Sequence, residues 1–364
     1  MINRKGLAIT SIVFLIAVTF SVSIVFYDTE ETDGAVNDTF SSNNITYKIT
    51  AEKDGLWIIT DDDYQVQVTG YSGNSSTVSI PTSVSHGGKN FRVTSIGQYA
   101  FTGNTTIQTV NIASTITSIK AGAFEGCTNL TSVAIPSNVS SIGNYAFSNT
   151  GIQSVYLYSK VSSIGWGAFT NCPNLTSISV ESGNSDYGTY NGILYAKDMS
   201  TLVACPGGYK GSVNLSGLGV KEIGVDSFYM CKNVTDVTLP NTVMTISSQA
   251  FRESGIQSIT IPSSVTKIKD LAFYHCPYLR DVNISYGVSE IGVEAFGQCT
   301  KLNSINVSSY NQYYSSDSNG ILYDANKKTI ILCPPNLSGT IVISADVEVI
   351  GDSAFYECNK IRIR

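Results

Sequence analysis

The chain has 364 residues, 14% of them charged and 42% hydrophobic, with 31 Gly, 21 Tyr, two His and a net charge of −6. Soluble chains average roughly 25% charged residues. The acidic balance excludes a nucleic-acid binder, which needs a basic stripe to neutralise phosphates, and regularly spaced aliphatic residues exclude general disorder.

At the N-terminus, Arg4 and Lys5 precede an uncharged run from Leu7 to Tyr27, and Asp28, Glu30, Glu31 and Asp33 follow it. At 1.5 Å per residue such a run spans a hydrocarbon core of roughly 30 Å, and the flanking charges place the remainder of the chain outside. Residues 1–27 are expected to be a signal-anchor or a signal peptide. The long apolar core, with no A-x-A-like cleavage site, favours the anchor. The body is therefore expected at the cell surface, membrane-attached if residues 1–27 are retained, or secreted. Residues 28–46, acidic and then rich in Asn, Ser and Thr, read as a flexible linker. The run Asp61–Asp63 lacks the D-x-D-x-D-G spacing of a calcium loop and reads as a solvated turn. His86 falls in the glycine-rich stretch SVSHGGKN.

From there a repeat governs the chain. Ala-Phe or Ser-Phe recurs with its aromatic at Phe101, Phe124, Phe147, Phe169, Phe228, Phe251, Phe273, Phe296 and Phe355. In the copy AFEGCTNLTSVAIPSNVSSIGNYAF (123–147), Val133 and Ile135 alternate as in a short strand with one buried face. Pro136 ends it, Val139 and Ile142 return to the core, and Gly143 turns the chain into the next Ala-Phe. One copy cannot bury its apolar face alone, so stacking is required. The fold class expected is a solenoid of short parallel β-strands, with tight turns or 3-10 segments on the other side. Two longer spacings contain NGILYAKDMSTLVACPGGY (191–209) and NGILYDANKKTIILCPPN (319–336), read as β-hairpin insertions near 183–211 and 310–338. Phe169 to Phe296 and Phe228 to Phe355 are equal intervals, so a larger block is duplicated.

These motifs, IP-x-x-V-x-x-IG-x-x-AF-x-x-C-x-x-L together with NGILY…CP and the entry segment FRVTSIGQYAF, resemble the BspA-type leucine-rich repeat surface proteins over residues 47–364. The resemblance implies a leucine-rich-repeat solenoid displayed on or secreted from a cell. It also implies adhesion to an extracellular protein or glycan, such as host matrix or another cell. The sorting tail of such adhesins is not recognisable here.

Candidate chemistry is sparse. Cys127, Cys172, Cys231, Cys276, Cys299 and Cys358 share one repeat position, three residues after Phe, where other copies hold Asn104, Thr150 and Ser254. A position accepting those types wants a small side chain that meets a turn backbone, so free buried thiols are expected. Cys276 and Cys299 are the pair in directly adjacent full coils, where a bridge is geometrically open. No C-x-x-C pair supports zinc, and no metal or other cofactor is expected. His86 and His275 gather no acid–base–nucleophile set, so no catalytic residue is expected and the chain reads as a non-enzyme. Glycosylation sequons such as Asn37, Asn74, Asn138 and Asn336 occur, but Asn129, Asn174 and Asn233 coincide with the repeat's own turn, so they are in part its by-product. The candidate ligand-binding surface is the exposed strand face: Tyr156, Tyr158, Ser179, Thr238, Thr260, Arg280, Asp281, Asn283 and Asn306. Its tyrosines and small polar groups offer contact area at low entropy cost, as paratopes do. A plain soluble strand face has much the same composition. A second reading, from the chain stopping where a further strand would begin, is a structural envelope component that self-associates end to end.

Overall fold

A computed structural model describes residues 36–51 and 64–364. The expected membrane segment 1–27 and the turn Asp61–Asp63 lie outside these residues.

Each repeat forms one coil with three sides. On the first side the runs with alternating burial make parallel strands, as in Ser154–Leu157 beside Ser177–Val180 and in Ser258–Ile261, Asp281–Ile284 and Ser304–Val307. The second side carries a ladder of two-residue strands that the sequence pattern did not announce. Ser118–Ile119, Ser141–Ile142 and Ser163–Ile164 pair in parallel, and so do Glu222–Ile223, Thr245–Ile246, Lys267–Ile268 and Glu290–Ile291. The third side is the Ala-Phe turn. Among the described residues no helix of any kind forms, so the segments expected as turns or 3-10 helix are turns. The reason lies in the backbone. Residues two before and two after Phe adopt positive φ in most coils, as at Tyr145 (55°) and Asn149 (55°) or Leu271 (57°) and His275 (53°), which a right-handed helix cannot contain. Hydrogen bonds between coils hold these turns: Phe124 N–H donates to Ala146 O at 2.8 Å and Phe251 N–H to Ala272 O at 2.7 Å.

Inside, the Phe rings stack in two columns. One runs Phe101–Phe124–Phe147–Phe169 with centroids 5.0–5.8 Å apart, the other Phe228–Phe251–Phe273–Phe296 at 4.8–5.1 Å. Offset or parallel stacking at this spacing adds to the burial of each ring. The shared cysteine position is explained by its partner: Cys127, Cys172, Cys276 and Cys299 thiols each donate to a Phe carbonyl of the coil before, at 2.9–3.0 Å. Thr150 instead donates to Phe147 O of its own coil at 2.8 Å. All eight cysteines are free, Cys276 and Cys299 included, and seven are buried. Burial pushes the Cys127 thiol up to about 11, so it stays protonated and unreactive near neutral pH. Cys358 alone is only half-buried, its thiol donating to Cys333 O at 3.4 Å. Alkylation of the native chain with iodoacetamide at pH 8 should modify Cys358 first and spare Cys127. Mass spectrometry that finds Cys127 labelled as fast would contradict that packing.

The N-terminal edge departs from expectation. Thr39–Ser42 and Ile45–Ala51 lie within or across the stretch 28–46 read as linker, yet they form an antiparallel pair that continues to Gln65–Tyr71. Ile45, Tyr47 and Ile49 are buried there, and Phe40 packs on Tyr47. Pairing satisfies a backbone whose side chains looked too polar to order it. His86 likewise ends a strand, Ser83–His86, that folds back on Lys89–Ile96 over the Gly87–Gly88 turn, and its ring stacks on Phe40 at 4.1 Å.

At each long spacing the chain makes a meander: Tyr187–Tyr190, Ile193–Ala196 and Thr201–Ala204 are antiparallel, as are Tyr314–Ser316, Leu322–Asp324 and Thr329–Leu332. The last strand of each joins the next ladder, Thr201–Leu202 beside Glu222–Ile223 and Thr329–Ile330 beside Val349–Ile350. Cys205 and Cys333 N–H then take the turn-side bond that Phe makes elsewhere, to Ser227 O and Ala354 O at 2.7 Å. Each insertion is thus a coil without its Phe, which is why the ring column breaks there.

Candidate functional site

The strand face alternates as expected. Tyr156, Ser179, Thr238, Thr260, Arg280, Asn283 and Asn306 are exposed, while Tyr158 and Asp281 are partly so. Register brings some together. Tyr156 stands beside Ser179, and Thr260, Asn283 and Asn306 form one transverse row. Asn306 donates to Asn283 at 3.2 Å within that row, and Ser304 donates to Asp281 at 3.0 Å in the row two residues before it. Tyr156 packs edge-on against Tyr158 with centroids 4.9 Å apart. An exposed ring locked against a half-buried one forms a rigid, amphipathic knob.

The nine residues do not share one continuous surface. The meander tip lies on the edge of the strand Ser177–Val180, where Ile178 N–H donates to Gly192 O at 2.9 Å. Tyr156, Tyr158 and Ser179 therefore belong to one patch. Thr260, Arg280, Asp281, Asn283 and Asn306 belong to another, and Thr238 stands on the strand before it, Val234–Thr238, which pairs with Gly211–Asn214. The second patch ends the same way, with Ile305 N–H donating to Gly320 O at 3.0 Å. Edge coverage of this kind stops further strands from pairing.

Two side chains complete each closure, and neither stood out in the sequence. Asn184 is 1% exposed. Its amide donates to Tyr158 O and Val161 O at 2.9 and 2.8 Å, and its carbonyl accepts Asp186 N–H and Tyr187 N–H at 2.9 and 2.8 Å. Tyr187 hydroxyl then accepts Ile164 N–H at 2.9 Å, ending the second-side ladder. Asn311 and Tyr314 repeat both arrangements. A polar residue that satisfies coils far from it in sequence leaves no local pattern. The duplicated N-x-x-Y is the one signal that could have found it.

Other candidates separate. His275 lies exposed on a turn with Nδ1 3.9 Å from Glu253. Ser254, the neighbouring hydroxyl, is fully buried against the Cys276 thiol at 3.5 Å and cannot serve as nucleophile. Among the described residues no cluster of three His, Cys, Asp or Glu is placed to hold a metal. Sequon amides are engaged in the stack: Asn129 donates to Thr105 O at 2.6 Å, Asn138 to Ser114 O at 2.8 Å and Asn336 to Asn303 at 2.7 Å.

On the turn side the two junctions differ. At the first, Tyr145 lies across Gly167, where a Cβ would fall 2.2 Å from its ring, and donates to Asp226 at 3.0 Å. Trp166 packs edge-on against Tyr145 at 5.0 Å. Desolvation raises the Asp226 carboxyl above the usual range, opposed by the Tyr145 hydrogen bond and by Arg252. Among the described residues no side chain makes that Tyr145-type bridge at the second junction, and a cleft of about 510 Å³ remains.

The family described as the BspA type leucine rich repeat region matches six copies over residues 74–191 and 212–319. Among solved structures, a leucine-rich repeat protein from Eubacterium ventriosum is 23% identical with a TM-score of 0.55, over 88% of this chain and 82% of its own. One from Bacteroides ovatus is 22% identical with a TM-score of 0.52, over 88% and 81%. At these identities the likeness is one of fold. No curated protein matches the chain at a significant level.

Proposed function

The chain belongs to the BspA-type leucine-rich repeat family, and on that premise we propose that it is a non-catalytic protein displayed outside the cell that adheres to an extracellular protein through its strand face. The observation that carries this reading is the Tyr156–Tyr158 knob beside Ser179, an exposed ring braced by a half-buried one at the end of the strand Ser154–Leu157. Such pairs supply contact area with few torsions to freeze, which is how interface anchors gain their weight. The row Thr260–Asn283–Asn306 offers a second, hydrogen-bonding patch at whose margin Arg280 and Asp281 stand. Low charge on both patches favours short-range complementarity over long-range capture of polyanions. Export is supported by the N-terminal charge pattern around Leu7–Tyr27.

Binding of the full chain to cells or matrix proteins tests the reading. Tyr156→Ala with Tyr158→Ala should weaken binding by about 2 kcal/mol or more, the scale of an interface hot spot, while the melting temperature falls by a few degrees at most because Tyr156 is exposed and Tyr158 only half-buried. Binding unchanged in this variant and in a second carrying Thr260→Arg with Asn283→Arg would remove the strand face from the function.

A further inference from the structure

We propose that the cleft at the second junction is a binding site for a small amphipathic cation, an ammonium group carried on an aromatic or aliphatic body. The cleft lies between the turns of Phe296 and Phe355 and encloses about 510 Å³, inside the range of roughly 300–1,000 Å³ typical of small-molecule sites. Its walls include Ile291, Val293, Ile331, Leu332 and Tyr356. Val293 is 73% exposed and Tyr356 49%, so apolar surface faces solvent here.

The cleft exists because two copies of one junction have diverged at matched positions. Where the first has Tyr145, Trp166, Gly167 and Asp226, the second has Leu271, Val293, Glu294 and Ser353. Leu271 has no hydroxyl to send across, Glu294 carries a Cβ where Gly167 has none, and Ser353 removes the carboxylate acceptor. The bridge is replaced by an apolar floor exposed to water. The charged residues lining it are Glu294 and Asp352, both acidic and both exposed. Among the described residues neither enters an ion pair.

Charge and floor together define the ligand. An apolar body gains from covering the floor, and a positive head gains from two unpaired carboxylates. An anion is repelled, and a bare metal cation leaves the floor wet. Tyr356 adds an aromatic surface of the kind that attracts organic cations. The site sits on the turn side, away from the strand face proposed for adhesion.

Calorimetric titration of the full chain with phenethylammonium, 2-phenylethanol and 3-phenylpropionate compares three charges on one apolar body. The expected order of affinity is cation, alcohol, anion. Glu294→Gln with Asp352→Asn should lower the cation's affinity about fivefold, towards that of the alcohol, as two exposed charges would. Val293→Trp, which puts at this junction the residue found at the first, should abolish binding of all three. Tyr156→Ala with Tyr158→Ala should leave it unchanged. Equal affinities for the three probes, no binding of phenethylammonium, or full binding by a folded Val293→Trp variant would overturn the proposal. Should that variant not fold, the exposed charge-neutral pair decides alone.

Discussion

Phe251→Ala should destabilise the second half of the solenoid by about 3–5 kcal/mol, the cost of deleting a fully buried aromatic ring and leaving its cavity. The ring is 0% exposed and lies between Phe228 and Phe273, with interplanar angles of 11° and 4°. Its loss removes two stacking contacts as well as its own burial. In a stacked repeat, coupling between neighbours carries cooperativity, so urea unfolding should separate into two transitions. The column Phe101–Phe169 would melt in the later one. Phe355→Ala is the comparator: that ring is only partly buried, stacks on no other ring among the described residues, and should cost markedly less. A single unshifted transition for Phe251→Ala would show that the ring column does not couple the coils.

Asn184→Ala should cost a similar amount, about 3–5 kcal/mol, although it deletes one small polar side chain. Four backbone groups lose their partner at once, and each buried group left unsatisfied costs about 1–3 kcal/mol, reduced where water enters. Asn184→Asp separates the donors from the acceptor. A carboxylate keeps the bonds from Asp186 and Tyr187 but faces the carbonyls of Tyr158 and Val161 with no proton to give. Its folded pKa would lie above the unfolded value, so its stability contribution is present at acid pH and lost as pH rises through the folded pKa. The variant should therefore recover part of its loss on acidification, measured as the difference in melting temperature from the parent chain. Asn311→Ala makes the same four-bond deletion at a less buried site and should cost less. Equal and small effects at both positions would mean that water replaces the amide.

How far these features were legible follows from the range over which each is caused. The Phe columns, the Cys position and the strand alternation are set once per coil by burial, so they recur in the sequence and were read from it. The second-side ladder was not, because Ser141–Ile142 is too short to alternate and is ordered by pairing with Ser118–Ile119 and Ser163–Ile164. The strand Thr39–Ser42 carries few apolar residues and is held by its neighbour, so composition read it as linker. For the candidate site, seven of the nine named strand-face residues are exposed and Tyr158 and Asp281 partly so, and their division into two patches depends on Gly192 and Gly320 meeting strand edges. The open second junction depends on four side chains in separate coils. Nothing local to Val293 or Glu294 marks them.

Pulled from its ends, as a tether between two surfaces would be, this molecule would behave as a spring with stops. Coils held by two-residue ladders and turn-side bonds peel one after another, each releasing about 75 Å of contour at 3.3–3.6 Å per residue. The meanders resist differently, because their antiparallel strands are braced by Asn184 or Asn311 and by a tyrosine hydroxyl at the ladder's end. Unwinding would therefore pause at fixed lengths, letting a loaded contact yield without the whole chain coming undone.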